Sequence, residues 1–371
     1  MRKALHISPN SYEDIISAGG TRKIWEELAK NYDEYHVFAR SKDLKSHTYK
    51  QGKIILHTIP NVMNKTYPFF FTSYIYLKKL LKEEKFNIVI CQCSIFGGYS
   101  VLRILHDQTP VLMEIHEIFY FRILKSRKII DRILSKIIRY SFENCTIIRT
   151  LNKKMSLALR ELGIKNKIVE VENRVDLSLF ESPKNNQKIQ ETVKLISIGN
   201  FVASKGHIYA FKALKELKDK YDISLTLISG GALRHEYENI VKEYRINVKL
   251  IDRCSQEELK EHLKNSNIYI QTSETEGMPR VILEAMAMKL PIVSSKAGFT
   301  EGTIKDKENG LLTEIGDVDG LVNAIEYLIK NEDERVRLTE NAYKDVLERF
   351  EWNRCFDQYR NLLDKVENYN I

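Results

Sequence analysis

No stretch of the 371-residue chain approaches the roughly 20 consecutive apolar residues that a membrane-spanning helix needs, so none is expected. The opening Met-Arg-Lys-Ala-Leu-His-Ile-Ser-Pro lacks the unbroken apolar core of a secretion signal and reads better as a first buried strand. Cysteine is scarce. The five residues are Cys91, Cys93, Cys145, Cys254 and Cys355, an odd number with one close pair, and no spacing matches a zinc or redox site. Cys91 and Cys93 alternate on an expected strand and share a face, which suits core packing. Reduced thiols suit a cytoplasmic protein. No Asp-x-Asp pair stands in a convincing metal-binding context, and no nucleic-acid-binding motif is present. These absences argue against a membrane-spanning protein, a disulfide-stapled secreted domain and a zinc module.

What is present is an ordinary globular balance, 43% hydrophobic and 29% charged, over a length too great for one compact core. The net charge of +8 is uneven. Residues 1–180 hold 30 Lys and Arg against 18 Asp and Glu, giving +12, whereas residues 181–371 hold 28 against 32, giving −4. A basic half suits a polyanionic partner: nucleic acid, an anionic membrane face or a phosphorylated substrate.

Short apolar runs alternate with amphipathic stretches in both halves. Strands are expected at 4–8, 35–39, 53–58, 88–91, 111–115 and 146–150, then at 193–198, 225–229, 248–251, 268–271 and 291–294. Helices are expected between them, for example at 21–31, 201–221 and 255–265. Such alternation predicts parallel sheets covered by helices. The series breaks at the polar segment 181–192, which holds a Pro and reads as a linker. The expected division is residues 1–182, residues 193–350 and a C-terminal helix over 351–371 that packs back toward the first domain. In open α/β sheets ligands bind in the loops after strand carboxyl ends.

One such loop is the most informative stretch: Gln271-Thr-Ser-Glu-Thr-Glu-Gly-Met-Pro-Arg-Val-Ile-Leu-Glu-Ala-Met-Ala-Met. Pro279 suits the first position of a helix. That helix is apolar nearly all round from Val281 to Met288, yet it contains Glu284. A buried carboxylate needs a partner. The spacing leaves two open: Arg280 one turn earlier, or a hydroxyl-rich ligand. Glu276 precedes the helix, where Gly277 lets a ligand approach the backbone. The free N–H groups of Gly277, Met278 and the first turn could hold an anion.

E-G-M-P-R-V-I-L-E-A-M-A, two glutamates separated by seven residues, resembles the signature of the retaining GT-B glycosyltransferases, in particular family 4. Ile198-Gly-Asn-Phe-Val-Ala-Ser-Lys-Gly206 is similar to that family's phosphate-binding segment, and Leu227-Ile-Ser-Gly-Gly231 to its second strand and loop. Asn309-Gly-Leu-Leu312 and Trp352 also fit. In the first half Gly19-Gly20, His116 and Glu172-Asn-Arg-Val-Asp176 resemble its glycine loop, cleft histidine and domain-closing segment. The likeness is strong over 195–315 and weak over 40–110.

The resemblance implies an α/β fold of two facing Rossmann-like domains with the site in the cleft between them. It implies retaining transfer of a hexosyl or N-acetylhexosaminyl group from a nucleoside-diphosphate sugar, UDP- or GDP-linked, to a glycan or lipid-linked hydroxyl. Bacterial surface polysaccharide synthesis is the expected setting, with no metal and no other cofactor. Glu276, His116 and Lys205 would be catalytic: Glu276 at the donor sugar, Lys205 at the diphosphate, His116 at the reacting carbon. Gly19, Gly20, Gly199, Asn200, Gly277, Met278, Pro279 and Arg280 would line the donor, and Glu284 would hold the ribose. Asn200 stands where the family usually has Arg, Asp252 where it often has Gly, and Lys289-Leu290 where it has x-Gly. The loss of a cation at 200 would rest the leaving group more heavily on Lys205.

Plainer readings stand beside these. Gly19-Gly20 could be a simple turn, Lys205 an exposed loop lysine, and His116 a histidine held by Glu114 or Glu117. Residues 119–140, FYFRILKSRKIIDRILSKIIRY, read as one basic amphipathic helix that could lie on an anionic membrane or simply cover the sheet. Tyr67-Pro-Phe-Phe-Phe71 could anchor there or pack in the core. The protein is thus expected in the cytoplasm, with peripheral contact at the inner membrane face and no nucleic-acid partner. The rivals are a sugar-nucleotide epimerase on the same fold and a non-catalytic polyanion- or membrane-binding module.

Overall fold

Ile88-Val-Ile-Cys91 is apolar at every position, and a strand buried on both faces requires that. In the computed structural model it lies inside an eight-stranded sheet. All residues are described except 61–65, 106–108, 117, 181–188, 190 and 370–371, with side chains also left out at 66–71 and Phe96. Most of the 181–192 segment, Glu117 and the Tyr67–Phe71 side chains therefore lie outside the described residues.

The first sheet contains β1 (Lys3–Tyr12), β2 (Glu34–Ser41), β3 (His47–Gln51), β4 (Ile54–Ile59), β5 (Ile88–Cys91), β6 (Val111–Glu114), β7 (Ile147–Thr150) and β8 (Ile168–Glu170). Its order is β3-β4-β2-β1-β5-β6-β7-β8, parallel throughout except for the β3–β4 hairpin. The second contains β9 (Val193–Ile198), β10 (Ile223–Ile228), β11 (Val248–Ile251), β12 (Ile268–Gln271), β13 (Ile292–Ser295) and β14 (Leu311–Thr313). Its order is β11-β10-β9-β12-β13-β14, and every pair is parallel. Its core joins strand residues such as Leu195, Leu225 and Ile270 to Phe211, Leu214 and Leu217 of the helix His207–Leu217. Each sheet reverses its winding beside its first strand, at β1/β5 and at β9/β12, and α/β ligand sites form at such reversals.

The chain divides into two compact units, Met1–Val171 with Phe356–Ile371, and Glu172–Cys355. The first boundary thus lies before the polar segment rather than within it. Glu172 is held by Arg349 at 2.6 Å, and the Val175 N–H donates to the Phe350 carbonyl at 2.8 Å. The helix Trp352–Glu367 contributes its later turns to the first unit, where Arg2 meets Glu367 at 2.9 Å and Arg360 meets Glu27 at 2.7 Å.

Residues 119–140 do not form one helix. A short, largely buried helix, Phe119–Lys125, is separated from a second, Ile129–Asn144, by Ser126, whose backbone is extended and whose Oγ donates to Asp131 Oδ2 and accepts from the Lys128 N–H. On the second helix Ile129, Ile130 and Ile133 are 79%, 50% and 55% exposed. No described helix is long and apolar enough to cross a membrane. Cys91, Cys93, Cys145 and Cys355 are buried, and among the described residues no two cysteines form a disulfide.

Candidate functional site

The loop after β9 and the loop after β12 are the two at the reversal point of the second sheet, and backbone hydrogen bonding ties them together. The Glu274 N–H donates to the Ser204 carbonyl at 2.9 Å, and Thr272 Oγ1 donates to the Lys205 carbonyl at 3.4 Å. Gly206 makes this closeness feasible. Its φ is +61°, and a Cβ there would stand 2.1 Å from the Thr272 carbonyl oxygen, so no other residue fits.

Two of the expected site residues meet directly here. Lys205 Nζ lies 2.6 Å from Glu276 Oε1, and Ser273 Oγ donates to the same oxygen at 2.6 Å. Ser295 Oγ in turn donates to the Ser273 carbonyl, which fixes the loop against β13. Glu276 is only 8% exposed, so a paired, hydrogen-bonded carboxylate is what burial demands. Gly199 packs against the Lys205 stem, and its carbonyl faces His207 Nε2 at 3.1 Å. Burial pushes His207 down to about 4, so the ring is neutral and donates that bond. Asn200 is exposed, and its side-chain carbonyl accepts from Ser229 Oγ at 2.9 Å.

Beyond Glu276 the chain enters the helix Arg280–Ala287. Pro279 is its N-cap rather than its first helical residue, with extended backbone at ψ 121°. Among the described residues the N–H groups of Gly277, Met278, Arg280 and Val281 have no hydrogen-bond acceptor, which leaves a cluster of free donors at a helix start. Asn173 Nδ2 holds the Met278 carbonyl at 2.9 Å. That clamp and the Ser273 bond were not evident in the sequence, since partners 105 and 3 residues apart follow from the fold.

Glu284 lies one to two turns further on. Arg280 is exposed and, among the described residues, no ion pair joins the two, so the i, i+4 alternative is not formed. Glu284 Oε2 is buried without a partner although the residue as a whole is half-buried. Burial raises its carboxyl to about 7, against a smaller opposite pull from Arg280. A buried carboxylate oxygen with no hydrogen-bond partner is costly and rare in a folded protein.

The remaining expected residues belong to the other unit. Gly19 has φ +51° and ψ −127°, a conformation reserved for glycine, and caps the helix Gly20–Ala29. His116 follows β6, and its Nε2 lies 3.3 Å from Glu114 Oε2. Among the described residues no group of three or more His, Cys, Asp or Glu side chains could hold a metal.

Known proteins resemble this chain in sequence and in fold. The model for glycosyltransferase family 4 matches residues 21–179, and that for glycosyl transferases group 1 matches residues 180–345. The chain is 25% identical over 314 residues to the Escherichia coli UDP-Gal:alpha-D-GlcNAc-diphosphoundecaprenol alpha-1,3-galactosyltransferase, covering 80% of each chain. Its fold matches sucrose-phosphate synthase from Thermosynechococcus elongatus at TM-score 0.85 and 19% identity, over 99% of both chains. It also matches Anabaena HepE in complex with UDP and glucose at TM-score 0.76 and 14% identity, over 98% of this chain and 100% of that one. With the two family models together spanning most of its length, the chain belongs to the family 4 glycosyltransferases and has the GT-B fold.

Proposed function

We propose that the enzyme moves a hexosyl or N-acetylhexosaminyl group from a UDP- or GDP-sugar to a hydroxyl of a glycan or lipid-linked acceptor, with retention and without a metal, in bacterial surface polysaccharide synthesis. The observation that carries this reading is the Lys205–Glu276 pair beside the free amides of Gly277 to Val281. Lys205 and those amides suit a departing diphosphate. Glu276, with Gly277, Met278 and Pro279 beside it, suits donor-sugar hydroxyls, and Glu284 suits the ribose. Gly199, Asn200 and Arg280 border the donor. Gly19 and Gly20 leave backbone open for phosphate, and His116 contacts the reacting sugar. HepE was solved with UDP and glucose, and the E. coli relative is named for a UDP-sugar and a lipid diphosphate, which supports the donor and acceptor classes.

The first test is a screen of UDP-, GDP- and ADP-sugars by thermal shift, where a ligand at about 100 times its Kd adds about 2.7 kcal/mol. Turnover with the stabilising donor is expected to survive an excess of chelator. Loss of activity on chelation, with recovery on adding Mg or Mn, would show that the diphosphate charge is not carried by Lys205 and the amides.

The exposed Ile129, Ile130 and Ile133, next to Lys128, Arg132 and Lys136, support peripheral contact with an anionic membrane at its cytoplasmic face. Each lysine or arginine near such a surface contributes about 1 kcal/mol. Changing Lys125, Lys128, Arg132 and Lys136 to Gln is therefore expected to weaken binding to phosphatidylglycerol vesicles about a hundredfold or more at low salt. Equal sedimentation of variant and wild type with those vesicles would remove the membrane role.

A further inference from the structure

His116 stands on a buried ion pair. Glu114 closes β6 at 2% exposure, and its Oε1 accepts from Arg149 Nη1 at 2.5 Å. Arg149 is its register partner on β7, donates through Nε to the Val171 carbonyl at 3.1 Å, and lies 4.7 Å from the centre of the Tyr359 ring. The carboxylate is therefore held from several sides, and its other oxygen, Oε2, faces His116 Nε2 at 3.3 Å.

The charge state of Glu114 decides what that contact is. Burial pushes its carboxyl up, but Arg149, and after it His116, outweigh this and hold it well below the usual carboxylate range. An ionised carboxylate only accepts hydrogen bonds, so the proton between Oε2 and Nε2 belongs to the imidazole. In the neutral ring the lone pair then lies on Nδ1. Among the described residues Nδ1 has no partner, and the side chain is 30% exposed. His6, wholly buried nearby with Nδ1 2.5 Å from Tyr35 Oη, is pushed down to about 4 by burial and adds no second cation.

We propose that Glu114 and Arg149 are positioning residues that lock His116 in its Nε2–H tautomer, so that Nδ1 is the nitrogen offered to a hydroxyl of the donor sugar. This rests on the reading of His116 as a donor contact. Glu114 stays ionised throughout and moves no proton. Arg149 fixes the carboxylate, the carboxylate fixes the ring, and the ring presents one lone pair. A purely structural pair needs no such alignment of its second oxygen, since buried ion pairs are often replaceable by apolar residues without loss of stability.

The test is a two-bond proton–nitrogen correlation spectrum of the whole protein labelled with ¹⁵N-histidine, with His116 assigned by the signal lost in His116→Asn. The expected result is Nε2–H with a bare Nδ1, and Nδ1–H in the wild type would overturn the proposal. A kinetic cycle forms the second arm. Glu114→Gln is expected to lower kcat about tenfold or more in the wild-type background and to add nothing in the His116→Asn background. An equal loss in both backgrounds would show that Glu114 acts independently of His116, which overturns the proposal. If Glu114→Gln leaves Arg149 unpaired and the protein unfolded, Glu114→Gln/Arg149→Met takes its place in the cycle. Undiminished turnover in His116→Asn would instead sink the role of His116 itself, and the spectrum would still report the tautomer.

Discussion

Lys205→Met is expected to lower kcat about 100- to 1,000-fold, the range seen when one preorganised charge stabiliser is removed from a developing anion. The departing diphosphate gains charge as the sugar bond breaks, so a cation beside it matters more in the transition state than in the ground state. The chain concentrates that task. Asn200 stands where the family usually has Arg, and its carbonyl is engaged by Ser229. Arg280 is exposed at the start of its helix. Lys205 is the cation that the loops after β9 and β12 bring together with Glu276. Among the described residues, the same substitution leaves the Glu276 carboxylate with Ser273 as its one side-chain partner. Removing one member of a buried pair costs about 3–5 kcal/mol, and less here because the Lys205 side chain is a quarter exposed. Stability and catalysis can be separated with Lys205→Met/Glu276→Gln. Its melting temperature should recover, since no orphan charge remains, while turnover stays lost. Glu276→Gln alone should lower transfer and leave free nucleotide binding nearly intact. Recovery of activity together with stability in the double variant would mean that Lys205 only holds Glu276 in place.

The parts of this fold that the sequence made most legible are those where burial is greatest. Ile88–Cys91 and Ile268–Gln271 are buried at every position, and their ends agree with the expected ones, as do those of Val193–Ile198 and of the less buried Val248–Ile251, where apolar residues flank a single lysine. The three strands not foreseen, His47–Gln51, Ile168–Glu170 and Leu311–Thr313, all lie at sheet edges and are short and largely solvated, so no apolar run marks them. The break inside 119–140 was hidden for a related reason. Apolar residues continue at helical spacing across Ser126, and only the tertiary packing of Tyr120, Phe121 and Leu124 shows that the first part turns inward. In the site, the loop motifs were legible because a glycine at a close approach and a glutamate in an apolar helix are both costly without a purpose. The pairing of Lys205 with Glu276 was not, because 71 residues separate them and strand order alone brings them together. Arg149 was missed because a lone arginine at the end of an apolar run gives no sign of the carboxylate across the strand.

Glu284→Gln is expected to weaken binding of the free nucleoside diphosphate about ten- to a hundredfold, because a hydrogen bond to a charged acceptor is worth about 1.5–3 kcal/mol. It should do so without lowering the melting temperature at pH 8, and the reason lies in linkage. The Glu284 carboxyl is raised to about 7 in the folded protein by burial, from an ordinary value near 4.5. The folded state therefore binds the proton more tightly than the unfolded chain. Its contribution to stability is fully present below about pH 4.5 and is lost as pH rises through 7, a difference on the order of 3 kcal/mol. Glutamine carries no charge to bury, so the variant should lose this slope and equal or exceed the wild type above pH 7. Ribose hydroxyls donate to the ionised form, so binding should release a proton near neutrality. Wild-type affinity should rise as pH climbs from 6 toward 8 and then level off. Titration calorimetry in two buffers of different ionisation enthalpy gives the proton count, and melting curves alongside give the stability slope. A folded Glu284→Gln protein with unchanged nucleotide affinity, or a wild type whose binding releases no proton between pH 6 and 8, would remove Glu284 from the ribose.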